Sequence, residues 1–406
     1  MSESDIHLIV GAGLAGASAA LAMRQAGFAG RIVLVGDEPE PPYDRPPLSK
    51  DVLTAAELKL PYLHPDSLYA EQQIEMLTGV AVEGLELAAG RAWLGDGRTL
   101  PYDRAVIATG GRARRLPIPG GDKALYLRSL EDAQRLRARL GEVRRVAVIG
   151  AGVIGCEVAS SARARGCGVT VLEALPGAMR RVFIPEIAEF AEALHRASGV
   201  ELRFSIAVAG IEERPTGFRV VCAGGETIEA DLVVAGIGIE RGLEIAAVSG
   251  IETDGGIVVD EFARTSAEHV FAAGDVASFW HPRYRQRLRL EHWRHAMDHG
   301  AAAGRAMCGD LQPYAEIPWF WTDQHGVNFQ TGGLPLLAER TVTRGEPDSG
   351  RFTAFHLRGD RLVGATTIND GRNMRPSLML IRDEVPVDAA ALADPARPLR
   401  DLLRGG

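Results

Sequence analysis

His7-Leu-Ile-Val-Gly-Ala-Gly-Leu-Ala-Gly16 decides how this chain of 406 residues is read. A short apolar run ends in Gly11, Gly13 and Gly16, and small residues follow from Ala17 to Ala26. The pattern predicts a strand, a tight turn and a helix that together bind a dinucleotide. Gly11 allows the turn. Gly13 leaves the backbone bare, so that a pyrophosphate can approach, and Gly16 lets the helix close onto the strand. Leu14 and Ala15 complete the turn. The helix N-terminus then offers free N–H groups and the positive end of its dipole to the phosphates. One motif of this kind carries little weight alone, because a glycine-rich turn can be spelled the same way.

The rest of the chain supplies the weight. Arg31-Ile-Val-Leu-Val-Gly-Asp37 predicts a second buried strand ending in acid, with Asp37 placed 26 residues after Gly11, where a carboxylate meets an adenosine ribose. Glu38 is the neighbouring candidate. Tyr102 to Gly111 predicts a strand running into the turn Ala108-Thr109-Gly110. Arg145-Val-Ala-Val-Ile-Gly-Ala-Gly-Val-Ile-Gly155 then repeats the opening motif, with Gly150, Gly152 and Gly155 in the three glycine places and Val153 and Ile154 between them. Its second strand ends at Glu173, 23 residues after Gly150, and its closing turn is Gly236-Ile237-Gly238. A whole module is duplicated, which points to two dinucleotide sites. A third closing signal, Val270-Phe-Ala-Ala-Gly274-Asp275-Val276-Ala, has no glycine motif before it. The first module is therefore expected to be discontinuous, its last strand returning after the second module. Asp275 is suited to a ribityl or phosphate group, which assigns FAD to the first module and the nicotinamide dinucleotide to the second. The expected fold is α/β, with two Rossmann-like dinucleotide-binding domains, the second inserted in the first, and a C-terminal α+β domain. The boundaries are 1–114 with 246–318 for FAD, 115–245 for NAD, and 319–406 for the C-terminal domain.

Composition narrows the classes. Hydrophobic residues make up 46%, so the chain is globular, and the net charge of −8 argues against nonspecific nucleic-acid binding. Neither a signal peptide nor an apolar run long enough to span a bilayer is visible. The four cysteines, 156, 167, 222 and 308, form no CxxC pair and no metal cluster. A cytoplasmic protein in the reduced state is the expectation.

Other stretches leave two readings open. The prolines of Pro41-Pro-Tyr-Asp-Arg-Pro-Pro-Leu-Ser-Lys50 predict an extended, rigid loop that excludes a helix. Arg45 and Lys50 on it are either held against an anionic cofactor or are ordinary surface cations. Arg91 to Thr99 predicts a hairpin. Arg283-Tyr-Arg-Gln-Arg-Leu-Arg-Leu290 alternates, so as a strand it puts Arg283, Arg285, Arg287 and Arg289 on one face, as a solvated edge or as a docking patch for an acidic partner. His292, His295 and His299 have helical spacing and read as surface histidines rather than as a metal site. The tail predicts strands at 352–357 and 362–368 and a helix near 374–382, with Trp321 as core or as a lid.

These motifs together resemble the FAD-dependent ferredoxin reductases of glutathione-reductase fold. The resemblance rests on the glycine motifs at 11–16 and 150–155, Arg-Pro-Pro-Leu-Ser-Lys at 45–50, Ala-Thr-Gly at 108–110 and Cys156-Glu157. It rests also on Gly-Ile-Gly at 236–238, Gly-Asp-Val at 274–276, Glu-His-Trp at 291–293 and Trp-Phe-Trp-Thr-Asp-Gln at 319–324. It implies that Lys50 sits by the flavin N5 edge and pairs with Glu157. Arg45, Pro46, Val82, Arg128 and Trp293 become FAD contacts, and Trp321 an aromatic lid. Glu173 is placed to bind the NAD ribose 2′-OH and to favour NADH over NADPH, while Arg180 and Arg181, the latter an expected NAD contact, lie close by and weigh against that preference. The implied activity is NADH:ferredoxin oxidoreductase, through a 2Fe–2S ferredoxin, in an aromatic-ring dioxygenase or haem monooxygenase system, with a monomer or homodimer expected. Pro47-Leu48-Ser49 stands where relatives with a redox cysteine would carry it, which disfavours disulfide chemistry. An NADH oxidase reducing O2 and a signalling or assembly flavoprotein are the alternatives.

Overall fold

The computed structural model describes residues 3–403, and their contacts group them into two units. The first comprises the stretch ending at Asp44 with Leu60–Arg112 and Ile239–Glu316; the second comprises Arg45–Lys59, Ala113–Gly238 and the stretch from Ile317. Of the stretches expected as separate domains, residues 115–238 and 319–403 fall in one unit, while 239–245 fall in the other.

The first unit is built on a five-stranded sheet in the order Val270–Ala272, Arg104–Ile107, Ile6–Val10, Arg31–Val35, Ile74–Leu77, with every pair parallel. Side chains alternate across a strand, so a sheet covered on both faces needs an unbroken apolar run. Leu8, Val10, Val33 and Val35 enter the core on one face, and Ile9, Ile32 and Leu34 enter the core on the other. The first face is closed by a three-stranded hairpin sheet over Val82–Pro101, through Leu85 and Leu94. The second is closed by the helices Leu14–Gln25 and Trp293–Met307. These two helices approach closely because Gly300 and Gly304 lie against the backbone of Ala15 and Ala19, where a Cβ would collide with either carbonyl oxygen.

The second unit repeats this sheet: Val200–Phe204, Gly168–Glu173, Arg145–Ile149, Leu232–Ala235 and Leu125–Tyr126, again parallel throughout. The outer strand beside the closing turn differs in origin: Val270–Ala272, beside Arg104–Ile107, follows the duplicated module in sequence, and Leu125–Tyr126, beside Leu232–Ala235, precedes it. A five-stranded antiparallel sheet belongs to the same unit, in the order Trp319–Gln324, Val327–Gly333, Arg361–Ile368, Arg351–Arg358, Arg340–Glu346. The helix Pro185–Ala197 ties the two sheets together: Phe190 packs edge-on against Phe329 and Phe352, with ring centroids 6.0 and 5.3 Å away. One core therefore runs from Val148 and Val171 to Phe329 and Ile368.

Three local expectations are corrected. Pro46–Ser49 is a 3-10 turn and Asp51–Thr54 a helical turn, because proline suits the first turn of a helix, where its missing N–H costs nothing. Only Gln286–Leu288 of the arginine-rich stretch is a strand; it pairs with Ala277–His281, and Arg283 and Arg285 lie in the connecting turn, Arg285 with φ +49°. The four arginines therefore do not share a strand face. Arg283 is partly buried, and Arg287 is tied down by bonds to the carbonyl oxygens of Val259 and Ser278, at 2.8 and 3.0 Å. His295 and His299 are not surface residues. Both are buried, stacked on Phe279 and Tyr314 respectively, with centroids 4.8 and 4.7 Å apart.

Candidate functional sites in the two units

The two glycine turns are the same object built twice. Gly11 donates to the Val35 carbonyl at 2.8 Å, and Gly150 donates to that of Leu172 at 2.8 Å, each reaching the end of the second strand. Gly11 (φ +113°) and Gly150 (φ +101°) adopt conformations that a side chain resists, and a Cβ there would strike the carbonyls of Ala108 and Gly236, the closing turns of their own modules. A Cβ on Gly16 or Gly155 would strike the carbonyl of Gly11 or Gly150. The middle glycines differ. A Cβ on Gly13 or Gly152 would have no heavy atom within 4 Å. They face open space, and each caps a helix that has no side-chain cap and no acid in its first turn. Free N–H groups, a positive dipole end and a missing side chain all meet there, which fits a pyrophosphate.

Most of the other residues expected at the first cradle lie just after the ends of the same parallel strands, Val82 and Trp293 excepted. Asp37 is exposed at the end of Arg31–Val35; Glu38 is partly buried and accepts a hydrogen bond from Tyr43 Oη. Ala108, Thr109 and Gly110 follow Arg104–Ile107, and Thr109 Oγ donates to the Gly242 carbonyl at 3.1 Å. Gly274, Asp275 and Val276 form a 3-10 turn after Val270–Ala272, and Arg241 donates to the Asp275 carbonyl at 2.8 Å. Val82 opens the hairpin sheet, and Trp293 starts its helix with Nε1 donating to Asp44 at 2.6 Å.

At the second cradle Ile154 is 44% exposed, an apolar surface beside the open glycine. Glu173 has both oxygens engaged, by the N–H of Ala151 at 2.7 Å and of Leu175 at 2.8 Å, so it also secures the loop that carries the glycines. Arg180 is turned to Glu189 and Glu192, 3.5 and 3.7 Å away, and Arg181 is exposed.

Glu157 sits one turn further along the helix that starts at this cradle and is 3% exposed. Lys50 Nζ lies 2.7 Å from its Oε1 and donates to the Pro46 carbonyl at 3.1 Å. Ser49 Oγ donates to the other carboxylate oxygen, and Thr322 Oγ donates to Oε1 at 2.6 Å. A buried carboxylate held by an ammonium and two hydroxyls is satisfied as a charge. The Pro46–Ser49 turn is itself anchored, since Ser161 Oγ donates to the Ser49 carbonyl at 2.6 Å and Arg45 donates to the Arg128 carbonyl at 2.6 Å. Trp321 stacks on Trp319, with centroids 5.4 Å apart. Sequence reasoning passed over Ser49 and Thr322. The one signal available was the alternation in Trp319-Phe-Trp-Thr-Asp-Gln324, which puts Thr322 and Gln324 together on the face opposite the tryptophans.

Comparison with known proteins follows the same lines. Residues 6–300 match the family model of the pyridine nucleotide-disulphide oxidoreductases, and residues 319–403 match the model of the reductase C-terminal domain. Putidaredoxin reductase of Pseudomonas putida is 36% identical, with 99% of this chain and 98% of the relative covered. The ferredoxin–NAD(+) reductase component of an anthranilate 1,2-dioxygenase system, from Burkholderia cepacia, is 38% identical, covering 99% and 100%. Among solved structures, the covalent putidaredoxin reductase–putidaredoxin complex matches with a TM-score of 0.94 at 36% identity, covering 99% of both chains.

Proposed function

The chain belongs to the pyridine nucleotide-disulphide oxidoreductases, in their FAD-dependent ferredoxin reductase branch, and on that premise we propose that it is a cytoplasmic NADH:ferredoxin oxidoreductase. Its electron acceptor is a 2Fe–2S ferredoxin serving a ring-hydroxylating dioxygenase or a haem monooxygenase. The observation that carries this reading is the Lys50–Glu157 pair, set one turn beyond a nucleotide cradle and held by two hydroxyls. Relatives of near-full-length similarity that are named as reductase components of dioxygenase systems support the acceptor class.

FAD, when bound, takes up two electrons together and gives them up singly, which is what joins a nicotinamide to an iron–sulfur protein. The cradle at Gly11, Gly13, Leu14, Ala15 and Gly16 holds its pyrophosphate. Asp37 or Glu38 takes the adenosine ribose, and Asp275 the ribityl or phosphate oxygens. Ala108 to Gly110, Gly274, Val276, Val82 and Trp293 line the remainder, and Arg45, Pro46, Arg128 and Trp321 are the further FAD contacts that the family resemblance implies. NADH lies on Gly150, Gly152, Val153, Ile154 and Gly155, closed by Gly236, Ile237 and Gly238. Lys50 supplies a fixed positive charge where negative charge accumulates on the flavin, and Glu157 keeps that ammonium in place. Glu173 accepts from the ribose 2′-OH and repels a 2′-phosphate. All four cysteines are free, and burial, with the Glu157 charge adding to it, pushes the Cys156 thiol far above its ordinary range. This chain's own residues thus give no support to disulfide chemistry. For docking, Arg285, Arg287 and Arg289 are the exposed members of the arginine stretch, and Arg285 and Arg289 are the two not tied to the Val259 and Ser278 carbonyls. Arg285→Glu with Arg289→Glu is expected to lower kcat/KM for ferredoxin and to leave the rate of NADH oxidation by ferricyanide unchanged.

Cytochrome c reduction by NADH, with and without a 2Fe–2S ferredoxin, tests the function. Turnover that depends strongly on ferredoxin is expected. Turnover indifferent to ferredoxin, with rapid O2 consumption, would replace this reading by that of an oxidase.

A further inference from the structure

Behind Glu157, within the second unit, runs a line of polar side chains that the proposed chemistry does not use. Thr322 Oγ donates to Glu157 at 2.6 Å, and Gln324 Nε2 donates to Thr322 Oγ at 3.1 Å. His195 Nε2 lies 2.9 Å from Gln324 Oε1, and His325 Nε2 lies 3.0 Å from His195 Nδ1. Thr322, Gln324 and His195 are each 0% exposed. Polar groups so deep are costly unless all are paired, and a fully paired row specifies one arrangement.

The direction of every bond in this row follows from its carboxylate end. A carboxylate accepts only, so the single hydroxyl proton of Thr322 goes to Glu157. Towards Gln324 the hydroxyl can then only accept, which turns the amide nitrogen to Thr322 and the amide oxygen to His195. His195 must carry its proton on Nε2, and its bare Nδ1 accepts from His325. Burial lowers the pKa of both histidines, that of His325 to about 4 with the neighbouring His195 contributing, so both rings are neutral and each has one donor. All four links donate towards Glu157. An amide in the row passes no proton, so this is not a proton path. It is a row of dipoles with their positive ends facing one carboxylate.

We propose that Thr322, backed by Gln324 and His195, is a positioning residue that keeps the Glu157 carboxylate charged and aimed at Lys50, and thereby fixes where the Lys50 ammonium stands during hydride transfer. The inference rests on the reading of Lys50 given above.

The test compares Thr322→Val, Thr322→Ser and Lys50→Met as full-length holoenzymes. Two quantities are read: flavin reduction by NADH in stopped flow, and the flavin midpoint potential by spectroelectrochemistry. Thr322→Val should slow reduction about tenfold, the weight of one hydrogen bond to a charged group, with the NADH Kd changed by less than about twofold. Its midpoint potential should move negative, in the same direction as that of Lys50→Met and by less. Thr322→Ser, which keeps the hydroxyl, should restore both. If Lys50→Met alters rate and potential while Thr322→Val alters neither, the inference fails and the reading of Lys50 stands. If Lys50→Met alters neither, that reading fails and takes the inference with it. Equal defects in Thr322→Val and Thr322→Ser would make Thr322 a packing residue and overturn the inference.

Discussion

Glu173 has one duty that its bonds display and a second, at the NAD ribose, that belongs to the proposed function. It ends its strand, accepts from Ala151 and Leu175, and so holds the loop on which the second set of glycines is mounted. The remaining lone pairs on its two oxygens can accept from a ribose hydroxyl, and its charge is placed to repel a phosphate in the same position. Glu173→Ala removes all of this at once. It should raise the KM for NADH about tenfold and shrink the preference for NADH over NADPH by about the same factor, since unpaired or repelled polar groups are what discriminate between such substrates. Steady-state kcat/KM for both nucleotides checks it, and an unchanged ratio would remove Glu173 from cofactor choice. Its place at the end of the strand beside the glycine loop was legible in the sequence, because strand, glycines and acid recur at nearly the same spacing twice. Lys50 and Glu157 were legible only through family resemblance, for nothing local links residues 107 positions apart. Thr322 and Gln324 were not legible as site residues. Polar side chains on alternate strand positions read as the wet face, and here that face is the buried one.

At the scale of elements, the helices Leu14–Gln25 and Trp293–Met307 set where the first cradle sits, and their seam is made of small residues. Gly304→Ala is an informative change because two effects oppose each other. In a helix interior alanine is favoured over glycine by about 1 kcal/mol. At this position its Cβ would collide with the Ala19 carbonyl, and backbone yields less readily than a side chain, so overpacking of about 1–3 kcal/mol should win. The expected outcome is a lower thermal midpoint and partial loss of FAD on gel filtration. A raised midpoint would show that the seam has slack. The two glycine motifs and the return of Val270–Ala272 to the sheet beside Arg104–Ile107 were readable, because unbroken apolar runs between glycine turns have few other solutions. The alternation of arginines at 283–289 misled, because a period of two continues across a hairpin turn as easily as along a strand. Arg340–Glu346 was not seen as a strand at all, since only Arg344 of its seven residues is buried and an edge strand needs no apolar face.

At the scale of the whole molecule, the histidines govern the response to acid. Burial lowers the pKa of His7 to about 4, with Arg104 adding to it. It lowers that of His299 to about 3 and of His356 to about 4. Each is at most 1% exposed, and each is used as a neutral ring. His7 stacks on Phe28 with centroids 3.8 Å apart, His299 Nδ1 accepts from the Gly274 N–H at 3.3 Å, and His356 Nε2 meets Thr366 Oγ at 3.0 Å. In the unfolded chain these groups take up protons near pH 6.5, before the folded protein does. Their contribution is therefore intact above about pH 6.5 and is lost as the pH falls towards 4. At pH 5 each costs about 2 kcal/mol, and three together approach the whole margin of about 5–15 kcal/mol that keeps a domain folded. The units need not fail together, because His7 and His299 lie in the first and His356 in the second. Thermal midpoints should be level from pH 8 to 7 and then fall by about 10 °C or more by pH 5, with flavin release tracking the first unit. His356→Gln, which keeps a hydrogen-bonding amide and cannot take up the proton, should flatten the fall for the second unit and leave flavin release as it was. A midpoint level down to pH 5 would mean that these rings are not held neutral by their burial.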